Sequence, residues 1–167
     1  MKWWKQKMVE RQLANKLKQS GKRAVLFPKE FKSIGIIAAS EVDYEVAKAY
    51  IRNLWGYKVM IKGHFFEEQE KESIEWISES HFNLLGKHKP YLNAFTEEKL
   101  DILLIPSTNL NPYLRYLLLA NPTGFRLGFF SKENTPYLDL MLAYEATGLN
   151  ENIQYLINYL NKIKEAC

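Results

Sequence analysis

The sequence predicts an α/β fold, a three-layer sandwich around a mainly parallel sheet, preceded by a basic amphipathic helix. Two observations carry this. Short apolar runs at 33–39, 58–62, 101–105 and 125–130 alternate with segments of helical period along almost the whole chain. The runs are apolar nearly without interruption, as strands covered on both faces must be. The length of 167 residues and the balance of 47% apolar to 25% charged residues fit one globular domain.

Residues 2–19 read as the first helix, with Trp4, Met8, Val9, Leu13 and Leu17 as its apolar stripe and Ser20-Gly21 as its end. Packing is expected through Trp4, Met8, Leu13 and Leu17. Pro28 keeps the following connection out of a helix. Ser33–Ala39 is the first strand. Ser40 with Asp43 resembles a capping box, and Val46, Ala47, Tyr50, Ile51 and Leu54 share one face of the next helix. Gly56 is placed for a left-handed helix end, and Lys58–Lys62 reads as the second strand, closing a βαβ unit.

The acidic stretch 67–80 reads as a helix anchored by Ile74 and Ile77. Phe82, Leu84, Leu85, Tyr91, Leu92 and Phe95 are available as core residues beyond it. Asp101–Ile105 is the clearest strand. Asn111-Pro112 supplies an N-cap and a first-turn proline for a helix whose Tyr113, Leu114, Leu117 and Leu118 face the core. Phe125–Phe130 is a fourth strand and 138–143 a fifth. The last helix takes Asn150 as cap and Ile153, Leu156, Ile157, Leu160 and Ile163 as stripe. Four strand runs are expected in one sheet with the first central. The expected division is a basic helix over 1–23 and a single α/β domain over 24–167.

The charge is unevenly distributed. Residues 1–23 carry eight Lys or Arg, among them Lys22, against the single acid Glu10, a net +7. The whole chain carries +4, so residues 24–167 sum to −3. Any contact with nucleic acid or a membrane surface is therefore expected only through residues 2–23. The apolar stripe of that segment is expected to pack on the domain or on a second copy of the chain, leaving the lysines in water. Cys167 is the only cysteine, so no disulfide forms within the chain. No apolar run reaches the roughly 18 residues that span a bilayer, and no signal-peptide pattern opens the chain. These features lead to an expected cytoplasmic location.

Familiar chemistry is missing from the sequence. There is no phosphate-binding G-x-x-x-x-G-K-[ST] loop, and Gly35 stands without the other glycines of a dinucleotide fingerprint. His64, His81 and His88 lack metal-ligand spacing and read as loop or surface residues, so no metal and no cofactor is expected. Fold geometry still says where a small anionic ligand would sit: beyond the carboxyl ends of the strands, at Ser40, His64, Ser107, Thr108, Asn109 and Asn111. Arg126 and Asp139 lie in apolar runs and read as a structural ion pair, as edge residues, or as charges facing a ligand.

The order Phe82–Lys87, Leu100–Ile105, Phe125–Gly128, Tyr137–Leu142, behind a basic helix and Lys32-Ser33-Ile34-Gly35-Ile36, resembles a family of small uncharacterised bacterial proteins with a Rossmann-like domain of unknown function. The resemblance implies a Rossmann-like sandwich and transfers no catalytic residue. Asp101–Phe129 is also similar to part of the N-terminal half of heptosyltransferase-like glycosyltransferases, which implies a sugar nucleotide held with the help of a second half. The leading expectation is a Rossmann-like protein of unknown function without catalysis of its own. The alternatives are a binder of a nucleotide, sugar nucleotide or phosphate at the carboxyl edge, and a membrane-peripheral or nucleic-acid-associated module using the basic helix.

Overall fold

The computed structural model describes residues 1–21 and 23–167; Lys22 lies outside the described residues. The chain runs α1 (Lys2–Ser20), β1 (Ser33–Ala38), α2 (Glu41–Trp55), β2 (Met60–Phe66), β3 (Trp76–Ile77), α3 (Asn93–Thr96), β4 (Ile102–Ile105), α4 (Pro112–Ala120), β5 (Arg126–Phe129), β6 (Leu140–Leu142) and α5 (Leu149–Ala166). The six strands form one sheet in the order β3-β2-β1-β4-β5-β6, and every neighbouring pair is parallel. This is the Rossmann-like order, with the change of direction between β1 and β4.

Alternation along the strands builds a core on each face of the sheet. Ile34, Ile36 and Ala38 of β1 join Ile102 and Leu104 of β4 against α2 and α5. Ile37, Leu103 and Ile105 face the opposite way, against α1 and α4. The amino-terminal helix therefore occupies a place in the second helical layer. It does so through Val9 and Leu13, which are buried; Met8 and Leu17 are half-buried and Trp4 is exposed. The expected packing through Trp4 is corrected, because the stripe facing α4 is centred on positions 9 and 13, more than a quarter-turn away from Trp4.

Four other expectations change. The acidic stretch 67–80 is not a helix: residues 67–75 form a loop that leads into β3 and a 3-10 turn at Glu79–His81. Glu67 to Ser73 is polar all round, so a helix there would have no apolar stripe to bury, and Ile74 is left exposed. The second strand begins at Met60 and runs to Phe66, since Gly56–Lys58 forms a 3-10 turn after Gly56 reverses the chain at φ 66°. Helix α5 begins at Leu149, after Gly148 at φ 114°. Its start is tied by Asn152 in place of Asn150: Asn152 exchanges two 2.8 Å hydrogen bonds with the backbone of Glu145. Leu54, Leu84, Leu85 and Tyr91, expected to face inward, are exposed, whereas Phe82, Leu92 and Phe95 are buried.

Candidate functional site

The crevice where the strand order reverses holds most of the residues singled out above. Ser40 caps α2, its Oγ accepting from the Asp43 backbone N–H at 3.2 Å. The Asp43 carboxylate does not complete a capping box. It accepts from Ser107 Oγ at 2.6 Å, and that hydroxyl in turn accepts the Ala39 N–H at 2.9 Å. Asn111 caps α4 by accepting the Leu114 N–H at 3.0 Å. Asn134, fully buried in the β5–β6 connection, donates to the carbonyls of Ser107 and Thr108 at 3.2 and 3.1 Å. Thr108 is half-buried and Asn109 exposed at the rim.

Ser40, Ser107 and Asn111 thus come to the carboxyl edge as the sheet geometry requires, with their oxygens engaged in internal hydrogen bonds. The first turn of α2 also carries Glu41 and Asp43. Those two carboxylates already complement the positive end of the helix, and they repel an incoming anion.

His64 has a different setting. Because β2 continues to Phe66, the residue is inside the strand and not beyond its end. The residue is 8% exposed, and its ring lies edge-on to Phe95, with centroids 5.1 Å apart. Nδ1 is 3.1 Å from the carbonyl oxygen of Glu75. A carbonyl only accepts, so Nδ1 carries the hydrogen and Nε2 presents its lone pair. Burial pushes the imidazole down to about 4, so it is neutral at pH 7. Among the described residues Nε2 has no hydrogen-bond partner.

Beside His64 lies a groove of about 280 Å³ along the outer edge of β2, walled by Tyr44, Tyr91, Phe95 and Ile74 with Lys62 and Glu75 at its rim. The groove exists because β3 pairs with β2 only at Phe65 and Phe66. The Glu75 N–H, which would extend that ladder toward Gly63, turns to Ser73 Oγ at 3.2 Å. Glu75 reaches Lys48 at 3.1 Å and accepts from Ser73 Oγ at 2.6 Å. Burial pushes its carboxyl up, and these two donors outweigh it, leaving the group below the usual carboxylate range. Lys62 pairs with Glu98. Desolvation pushes the Tyr44 hydroxyl up, with no hydrogen bond to offset it. Tyr44 and Glu75 escaped sequence reasoning, and Tyr91 and Phe95 read only as core residues, because the groove joins three separate segments with no shared motif. The one local signal was Tyr44, on the buried face of α2.

Arg126 and Asp139 lie at the opposite, amino edge. The Asp139 carboxylate pairs with Arg23 at 2.5 Å and accepts the Arg126 backbone N–H at 2.8 Å. The Arg126 guanidinium is 3% exposed and donates to the Asn121 carbonyl at 3.2 Å. Burial, then the nearby Arg23, push it down to about 10. These charges stitch β5, β6 and the chain before β1 together.

A second cleft, of about 470 Å³, lies at the carboxyl ends of β2 and β3, where Phe66, Trp76 and Tyr113 face Trp3 and the carboxylates of Glu68, Glu70 and Glu79. Among the described residues no group of three His, Cys, Asp or Glu side chains is arranged to hold a metal ion. No helix there is long and apolar enough to cross a membrane.

A search of curated proteins finds no match, and neither does a search of solved structures. A family model, described as a family of unknown function, matches residues 5–163, which is nearly the whole chain and includes all six strands and most of α1 and α5. The chain belongs to that family, DUF6913.

Proposed function

We propose that this chain is a ligand-binding module without catalysis of its own, and that the groove beside His64 takes a small, uncharged, mainly apolar molecule. The single observation that carries the reading is the His64 ring: nine-tenths buried, fixed in one tautomer by Glu75, with Nε2 unpartnered beside a groove walled by aromatic side chains. Nε2 is open to the groove, and a ligand that supplies an N–H or O–H takes the place of water at it. Aromatic walls and few polar groups suit a single-ring or two-ring molecule. At neutral pH a group held near 4 is too weak a base to take a proton, so Nε2 orients the ligand.

The test is a thermal-shift screen of indole, phenol and benzimidazole, with a uridine diphosphate sugar and inorganic phosphate as the anionic arm. A saturating ligand at about a hundred times its Kd stabilises the fold by about 2.7 kcal/mol. The reading expects stabilisation by the neutral aromatic donors that is lost in His64→Phe, which keeps an aromatic ring at this position and removes Nε2. Stabilisation by the sugar nucleotide alone, unaffected by His64→Phe and lost in Ser107→Ala, would instead support a nucleotide beyond β1 and β4.

A further inference from the structure

We propose that the amino-terminal turn of α1 and the 82–89 loop together form a docking face for an anionic lipid surface. Met1, Trp4, Leu84 and Leu85 are all more than half exposed. Met1, Lys5, Leu84, Leu85 and Lys89 line one shallow depression, and Trp4 is a helical neighbour of Met1 at i+3. Sequence alone made packing and membrane contact rivals for one stripe. In the fold they use different faces of α1: Val9 and Leu13 turn to α4, while Met1 lines the depression beside the loop and Trp4 is left exposed.

The leucines are displayed by a built turn. Asn83 Oδ1 accepts the N–H groups of Leu85 and Lys87 at 2.9 and 3.1 Å, and the Asn83 N–H donates to the Lys87 carbonyl at 2.9 Å. Gly86, at φ 73°, lies so close to α1 that a Cβ would stand 2.4 Å from the Met8 carbonyl carbon. Gln12 Nε2 adds a 3.2 Å hydrogen bond to the Leu85 carbonyl. The helix and the loop are therefore one rigid surface, with two leucines pinned outward.

Charge selects the occupant. Lys5, Lys87 and Lys89 surround the apolar tip and make no ion pair among the described residues, and Lys7 lies over the Trp3 ring. The nearby carboxylates are turned elsewhere: Glu68, Glu70 and Glu79 line the cleft on the other flank of α1, and Glu10 accepts from Gln6. An indole and two leucines ringed by lysines match the layering of a lipid interface, apolar groups below the headgroups and ammonium groups at the phosphates. A duplex would use the lysines and leave the leucines in water; a second copy of the chain would bring like charges together.

The experiment is co-sedimentation of the full chain with phosphatidylcholine vesicles, with and without phosphatidylglycerol, at low and high salt. Binding is expected only to the anionic vesicles and weakens with salt. Leu84→Ser with Leu85→Ser, and separately Lys5→Glu with Lys87→Glu and Lys89→Glu, each lower the partition coefficient at least about tenfold. The variant sets change exposed side chains and the half-buried Lys5, and an unchanged melting temperature confirms the fold; Lys162→Glu on α5 serves as the charge control and leaves binding intact. The proposal fails if wild type does not bind anionic vesicles, or if the leucine variant binds them as well as wild type does. It fails equally if the same leucines control self-association without vesicles, or if a DNA duplex outcompetes the vesicles.

Discussion

Acidification from pH 7 to pH 4.5 destabilises this protein by about 2 kcal/mol through His64 alone. The magnitude follows from the ring's surroundings. In the unfolded chain the imidazole titrates near its ordinary value of 6.5; in the fold, burial holds it near 4. Between those values the unfolded state binds a proton that the folded state refuses. Stability is complete above the unfolded value, falls as the pH drops through the window, and levels off below the folded value. A full gap of this size is worth about 3 kcal/mol, and pH 4.5 realises most of it. The assay is urea unfolding at both pH values for wild type and His64→Asn. Asparagine keeps a donor for the Glu75 carbonyl and cannot take a proton. Burial also holds His81 and His88 below the ordinary histidine value, so wild type loses more in total. The difference between the two proteins isolates His64, because any cavity left by the shorter side chain is present at both pH values. If His64→Asn loses as much stability as wild type, the ring is not buried neutral, and the reading of the groove falls with it.

Other outcomes follow from close contacts. At Gly63 an added Cβ would meet the Ile36 carbonyl oxygen of β1 at 1.9 Å, so Gly63→Ala separates β1 from β2 and costs at least about 3 kcal/mol, read from denaturant midpoints; a wild-type midpoint would contradict this. Gly86→Ala pushes the loop off α1 and strains a positive φ, so limited proteolysis should cut within residues 2–20 far faster than in wild type while α5 stays protected. Asp139→Asn removes the charge that pairs with Arg23, in a place where the Arg126 guanidinium is already buried, and should lower stability by roughly 2–3 kcal/mol in a thermal melt; no change would mean that the amino-edge charges are solvated.

Local chemistry determined the elements that could be read one segment at a time. Ile34–Ala38 and Ile102–Ile105 are strands because unbroken apolar runs of that length have to be covered on both sides. Ser40 and Asn111 start helices because a side-chain oxygen three residues before a free N–H satisfies it wherever the helix later packs. The fold class and the central place of β1 follow from the alternation of such segments. What only the tertiary structure decided depends on groups far apart in the chain. Arg23 and Asp139 meet across 116 positions, and no periodicity records that pairing. The stripe of α1 contained candidates for two faces, and the position of α4 chose Val9 and Leu13 over Trp4. His64 looked like a residue after a strand until β2 ran on to Phe66 and the short β3 left its edge open. The crevice at the strand reversal, where geometry places ligands, is reached by Asp43 from the first turn of α2 and by Asn134 from the β5–β6 connection, and the partner of both, Ser107, lies in a segment remote from either in sequence. Burial and partner choice are properties of the assembled layers, since the free energy of a polar atom depends on which donors and acceptors the other segments bring to it.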